Sequence, residues 1–132
     1  MRYLLDTNVV SDLIRNPQGR SAAKVAAVGE DNVCTSVIVT AELRYGAAKK
    51  RSSRLTRQLE EVLSVLDVVR LESPADEIYG SIRVGLERQG TPIGGNDLLI
   101  ASHALALEAT LVTDNEREFR RVDGLKVENW LG

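Results

Sequence analysis

Cysteine is nearly missing from this sequence. Cys34 stands alone among 132 residues, so no intrachain disulfide can form, and a disulfide-stapled fold is excluded. Its place in the apolar segment Val33–Val39 reads as a small buried hydrophobe. Histidine is as scarce, with His103 alone. One Cys and one His cannot supply the ligand sets that zinc takes, and His103, inside an apolar stretch, reads as structural. No run of about 18 apolar residues occurs, so no membrane-spanning helix is expected. The start, Met1-Arg2-Tyr3-Leu4-Leu5-Asp6, reaches an acid too soon for a signal peptide. These absences together lead us to expect a cytoplasmic protein. Internal repeats, low-complexity tracts and linker-like stretches are also missing, and one domain spanning residues 1–132 is expected.

What is present has the proportions of a globular domain, with 43% hydrophobic and 27% charged residues. The net charge of −2 says little, but its distribution says more. No acid lies between Leu43 and Leu59, where Arg44, Lys49, Lys50, Arg51, Arg54 and Arg57 are all basic. Such a stretch is either a solvated helix face or a surface offered to a polyanion.

The pattern alternates short β-like runs with helical ones. Strands are expected at Tyr3–Leu5, Val33–Ser36, Val68–Leu71, Thr110–Thr113 and Leu125–Val127. Helices are expected at Val9–Ile14, Ser21–Val28, Val37–Lys49, from Leu55 to Leu66, from Pro74 past Leu86, and at Asn96–Leu107. Leu55, Leu59, Val62, Leu63 and Leu66 give the spacing of an amphipathic helix. Pro74 suits a first helical turn. Alternation with short, continuously apolar strands predicts an α/β fold, a three-layer α/β/α sandwich on a parallel sheet. In such sheets, sites form outside the carboxyl ends of the strands.

Acids stand at those places. Asp6 directly follows the first strand, Asp114 directly follows the Thr110–Thr113 strand, and Asp97 lies in the first turn of the helix leading into it. Each aspartate has a plainer role available, as a helix cap or a dipole partner, the latter worth roughly 0.3–1 kcal/mol. Glu42 is mid-helix, where no cap can sit, with Ile38, Val39 and Tyr45 around it. It is therefore expected at the edge of the core, or else exposed and paired with a basic residue. Two carboxylates about 4 Å apart repel by roughly 4 kcal/mol at an effective dielectric of 20. A convergent cluster would need a cation or take up protons. All-oxygen ligation with retained waters suits Mg²⁺ or Mn²⁺, and such an ion suits phosphodiester chemistry. Gly94-Gly95 lacks the Lys-Ser/Thr of a phosphate-cradling loop, which favours a polymeric substrate over a mononucleotide.

The ordered motifs carry a family resemblance. Tyr3-Leu4-Leu5-Asp6-Thr7-Asn8-Val9, Thr40-Ala41-Glu42-Leu43-Arg44-Tyr45-Gly46-Ala47, Gly94-Gly95-Asn96-Asp97-Leu98-Leu99-Ile100-Ala101, Leu111–Phe119 and Val127-Glu128-Asn129-Trp130 follow one another along essentially the whole chain. The set resembles the PIN-domain toxins of bacterial type II toxin–antitoxin pairs, the VapC group. The resemblance implies Mg²⁺-dependent RNA cleavage, transfer RNA being a family-level expectation. It also implies a homodimer and a VapB-like antitoxin through which operator DNA is bound. By matching motifs, Asp6, Glu42 and Asp97 take metal-binding and catalytic roles. Asp114 and Asn115 compete for the fourth position, with Glu118 as a third candidate. Gly94-Gly95 stands where relatives often carry Gly-Pro, so a freer loop is expected there. Arg44, Lys49, Lys50 and Arg51 are the candidates for guiding the RNA backbone. Two rival readings are an inactive PIN-like subunit acting only within a DNA-bound complex, and a phospho-accepting receiver domain. The receiver needs its acceptor Asp at the end of the central strand. Val68–Leu71, read as that strand, is followed by Glu72-Ser73-Pro74, which offers none.

Overall fold

The computed structural model describes all 132 residues. The order is β1 (Tyr3–Leu5), α1 (Thr7–Arg15), α2 (Arg20–Val28), a 3-10 turn (Glu30–Asn32), β2 (Val33–Ser36), α3 (Val37–Lys50), α4 (Ser53–Leu63), β3 (Asp67–Val69), α5 (Ala75–Arg88), α6 (Gly95–Ala106), β4 (Thr110–Val112), α7 (Glu116–Phe119) and β5 (Val127–Glu128). The five strands form one parallel sheet in the order β3-β2-β1-β4-β5. Right-handed crossovers put α1 to α4 on one face and α5 to α7 on the other, which gives the expected three layers. Contacts agree: α1 packs on α2, α3 and α4, while α5 packs on α6.

The chain turns from one side of β1 to the other between β1 and β4, so a topological switch point lies there. Leu5 pairs with both Thr35 and Val112. The strands therefore end level, and Asp6, Ser36 and Thr113 emerge side by side on one edge. Leu4, Leu5, Leu111 and Val112 are fully buried, as strands covered on both faces require. Phe119, Ile100, Val9 and Val39 join them in one hydrophobic cluster.

Several boundaries differ from expectation for local reasons. α1 begins at Thr7 because the Asp6 carboxylate caps it, accepting from the Thr7 amide. β3 covers Asp67–Val69, not Val68–Leu71, because its partner β2 ends at Ser36, opposite Val69, where Ser36 turns to cap α3. β5 is Val127–Glu128 rather than Leu125–Val127, since pairing starts only after the turn at Gly124, whose φ is 81°. α4 ends at Leu63, before Leu66. β3 is also an edge strand; the central strand is β1, which ends at Asp6. Val68–Leu71, expected as the central strand, thus lies at the edge, and the central strand does end at an aspartate. Sheet order decides against a receiver domain: receivers run 2-1-3-4-5, whereas this sheet runs 3-2-1-4-5.

Candidate active site

Asp6 is the most enclosed of the acids, only 5% exposed. Its amide donates to Val112 O at 2.9 Å, tying the end of β1 to β4. Its Oδ1 accepts from the Thr7 amide at 2.8 Å, and its Oδ2 from Thr113 Oγ1 at 2.7 Å. Capping and membership of an acid cluster thus coexist in one side chain. Burial pushes the Asp6 carboxyl up; bonds from Thr113 and Thr7 oppose this, and the charges of Glu42 and Asp114 add to it.

Glu42 is half-buried on α3 and faces α1 and α6. Thr7 Oγ1 donates to its Oε1 at 2.6 Å, and Asn96 Nδ2 reaches its Oε2 at 3.4 Å. Thr7 therefore serves two acids, with its amide on Asp6 and its hydroxyl on Glu42. Asn96 ties Glu42 to the start of α6, where Asp97 follows. The expectation that Glu42 sits at the core's edge matches this placement, and no basic residue pairs with it.

Asp97 is half-buried in the first turn of α6, whose cap, Gly94, has no side chain to offer. Neither Asn96 nor Asp97 caps the helix. The Gly94 amide donates to Glu118 Oε1 at 3.0 Å, and Asn115 Nδ2 donates to Glu118 Oε2 at 2.7 Å. The Gly94-Gly95 loop is thus tethered to α7. Burial first, then the charges of Glu118 and Asp6, a hydrogen bond with Glu118 and the charge of Glu42 raise the Asp97 carboxyl to about 7. Burial also works against ionised Glu118. The Gly94 amide, Asn115 and Asp97 outweigh it and hold Glu118 below its ordinary value. Asp97 therefore keeps the proton of this pair, and Glu118 carries the charge.

Of the three residues weighed for the fourth corner, Glu118 stands closest in effect to Asp97. Asp114 is exposed and accepts from Asn8 Nδ2 at 2.7 Å, while its charge reaches Asp6. Asn115 occupies the cap position of α7 and orients Glu118.

As the side chains stand, no three of these carboxylates are close enough to close a shell around an ion. Their chemistry nonetheless fits a hard cation. Every donor is an oxygen, the acids repel one another, and a site that leaves positions for water suits Mg²⁺ more than a full protein cage would.

The basic candidates separate. Arg44 is paired with Glu60. Lys49 lies 5.9 Å from the centre of the Tyr45 ring. Arg51 ends α3 in a left-handed conformation, φ 52°. Lys50 alone of the four lines a groove that also holds Glu42.

A model of the PIN domain matches residues 3–125. The chain belongs to the PIN-domain family. Curated PIN-domain relatives include Ribonuclease VapC2 of Rickettsia felis, 40% identical over 132 residues and 98% of each chain. Another is the tRNA(fMet)-specific endonuclease VapC of Shigella flexneri, 36% identical over 131 residues and again 98% of each. Among solved structures, VapBC2 from Rickettsia felis bound to a DNA fragment from its promoter superposes with a TM-score of 0.89 at 41% identity, covering 98% of this chain and 99% of that one. VapBC-1 from nontypeable Haemophilus influenzae gives 0.87 at 35% identity, with 100% of both chains covered.

The motif acids of this PIN domain, Asp6, Glu42 and Asp97, gather at the switch point. The polar residues that hold them were missed: Thr7, Asn96 and Thr113 for the acids, and Asn8 for Asp114. The available signal was a hydroxyl or amide next to each aspartate in sequence; Glu42, between Ala41 and Leu43, offered none.

Proposed function

We propose that this protein is a metal-dependent endoribonuclease, the toxin of a type II toxin–antitoxin pair. One observation carries the reading: Asp6, Glu42 and Asp97, from three different elements, share one electrostatic environment at the β1/β4 switch point. A structural role for isolated caps does not require that. The names of the relatives supply the substrate class, with RNA in general and transfer RNA in one of them.

Asp6, Glu42 and Asp97 would hold Mg²⁺, or Mn²⁺ in its place. When bound, the ion lowers the pKa of a water and neutralises charge on the scissile phosphate. The residues do the rest. Thr7 and Thr113 fix the Asp6 and Glu42 carboxylates. Glu118, held ionised by the Gly94 amide and Asn115, faces Asp97, and the proton that Asp97 holds would pass to solvent on cation binding.

The partners follow from the solved relatives: a VapB-like antitoxin, with DNA reached through the complex. A homodimer and a cytoplasmic setting complete the proposal, and no helix is long and apolar enough to cross a membrane. The inactive-subunit alternative gains nothing from the site, since Asp6, Glu42 and Asp97 are all present.

The test is RNA cleavage by antitoxin-free protein with and without Mg²⁺, alongside Asp6→Ala and Asp97→Asn. Cleavage that needs the ion and falls at least 100-fold in both variants supports the proposal. A folded wild type that cuts no RNA, or variants that cut as well, would overturn it.

A further inference from the structure

Glu42 belongs to two places at once. One is the acid cluster. The other is a groove of about 280 Å³ between α1, α3 and α4. Thr7 and Ser11 stand on its α1 wall, and Leu43, Leu55 and Leu59 supply an aliphatic surface. Its cations are Arg15, at the end of α1, and Lys50, at the end of α3. Neither belongs to any of the protein's ion pairs. Asp12, one turn back, feels the charge of Arg15 and is hydrogen-bonded to Asn16. Arg15 also borders a neighbouring hollow of about 520 Å³, which holds one further cation, Arg20, and one acid, Asp12.

We infer that this groove is a subsite for the nucleotide flanking the scissile phosphate of a single-stranded RNA. The aliphatic surface would take the base, and Arg15 and Lys50 the outgoing phosphate. This rests on the ribonuclease proposal above. Three features select the occupant. The groove opens at an acid of the cleavage site, so a strand cut there must leave along some such path. Its volume of about 280 Å³ falls just below that of drug-sized ligand pockets, roughly 300–1,000 Å³, which leaves room for no more than one nucleotide. Two unpaired cations match a polyanion and give affinity without sequence choice.

Gly46 supplies the decisive variant. It lines the groove, and a Cβ added there meets nothing within 4 Å. Gly46→Leu would fill the subsite without crowding the core. Binding of a short fluorescent single-stranded RNA is measured on Asp97→Asn protein, free of antitoxin, by anisotropy at several salt concentrations. Adding Arg15→Ala or Lys50→Ala is expected to weaken binding 3- to 10-fold and to make the slope of log K against log salt shallower by about 0.7 each. Gly46→Leu is expected to weaken binding while leaving that slope alone. In cleavage-competent protein all three raise KM more than they lower kcat. Arg88→Ala, on an exposed site at the end of α5, serves as the charge-loss control and stays at wild-type level. If wild type cuts RNA while the three groove variants bind and cut it equally well, the subsite is refuted and the ribonuclease stands. If those variants lose only antitoxin affinity, the groove is a peptide site and the inference fails. Wild type that cuts no RNA defeats the underlying proposal instead.

Discussion

Asp97 carries the clearest conflict at the scale of single residues. In the folded chain its carboxyl holds a proton up to about 7, first because it is buried and then because Glu118 and Asp6 are beside it. In the unfolded chain it ionises near its ordinary value of 3.8. The unfolded state therefore releases this proton earlier as pH rises, and the folded state loses stability across pH 4 to 7. Asparagine imitates the protonated form and escapes the loss. In EDTA, Asp97→Asn is expected to exceed wild type in stability, by little at pH 4 and by on the order of 1–2 kcal/mol at pH 8, after allowance for partial exposure. Urea unfolding at the two pH values reads this directly; a gap that does not widen with pH rules it out. Thr113 makes the opposite case. Its hydroxyl, fully buried, donates to Asp6 and accepts from the Asn115 amide at 3.0 Å. Thr113→Val keeps the shape and strands both partners, so a loss of about 1–3 kcal/mol is expected in the same assay, with slower RNA cleavage. Stability within a few tenths of wild type would show that these bonds carry no weight. Asp6 and Asp114 were legible from the sequence because an Asp after an apolar strand is conspicuous, and Glu42 because a mid-helix acid among apolar neighbours cannot be a cap. Thr113 was not, because a threonine ending a strand looks like any other. Nor could spacing choose among Asp114, Asn115 and Glu118: they lie within one turn's reach, and only the Gly94 amide, tethered from another loop, singles out Glu118.

At the scale of elements, the legible parts were those with a strong period or a strong cap. The apolar α6 and the amphipathic α4 fall within a few residues of where their patterns put them. The edges of the sheet did not, because β3 and β5 are short and their ends are set by partner strands rather than by their own residues. The same distance from local propensity makes α5 informative. It runs 14 residues and carries Gly80 and Gly85 in its interior, where glycine costs roughly 0.5–1 kcal/mol relative to alanine. Neither has a positive φ, and a Cβ at either meets nothing within 4 Å. Gly80→Ala is expected to raise stability by about 0.5–1 kcal/mol and leave RNA cleavage unchanged. A destabilised Gly80→Ala would mean that this face of α5 needs a bare backbone, as close packing by a second chain would require.

For the whole molecule, the acid cluster and the fold pull against each other. The level strand ends place Asp6 at one edge of the sheet, and α3 and α6 bring Glu42 and Asp97 to it, tied through Thr7 and Asn96. Without a cation, burying these carboxylates and then gathering them is a cost, visible in the raised carboxyls of Asp6 and Asp97. A ligand that binds only the folded state returns stability in proportion to the logarithm of its concentration, about 2.7 kcal/mol at 100 times its dissociation constant. Mg²⁺ is therefore expected to raise the thermal midpoint of wild type progressively, and more at pH 8 than at pH 6, where Asp97 still holds its proton. The variant Asp97→Asn, which loses no accepted hydrogen bond, should start from a higher midpoint in EDTA and respond less to Mg²⁺. Thermal unfolding of both proteins across a Mg²⁺ series at the two pH values tests the linkage. If the ion moves both midpoints equally, it binds elsewhere, and the strain in the cluster is not what the cation relieves. If wild type responds more, the acid that makes the apo fold less stable is one of those that hold the ion.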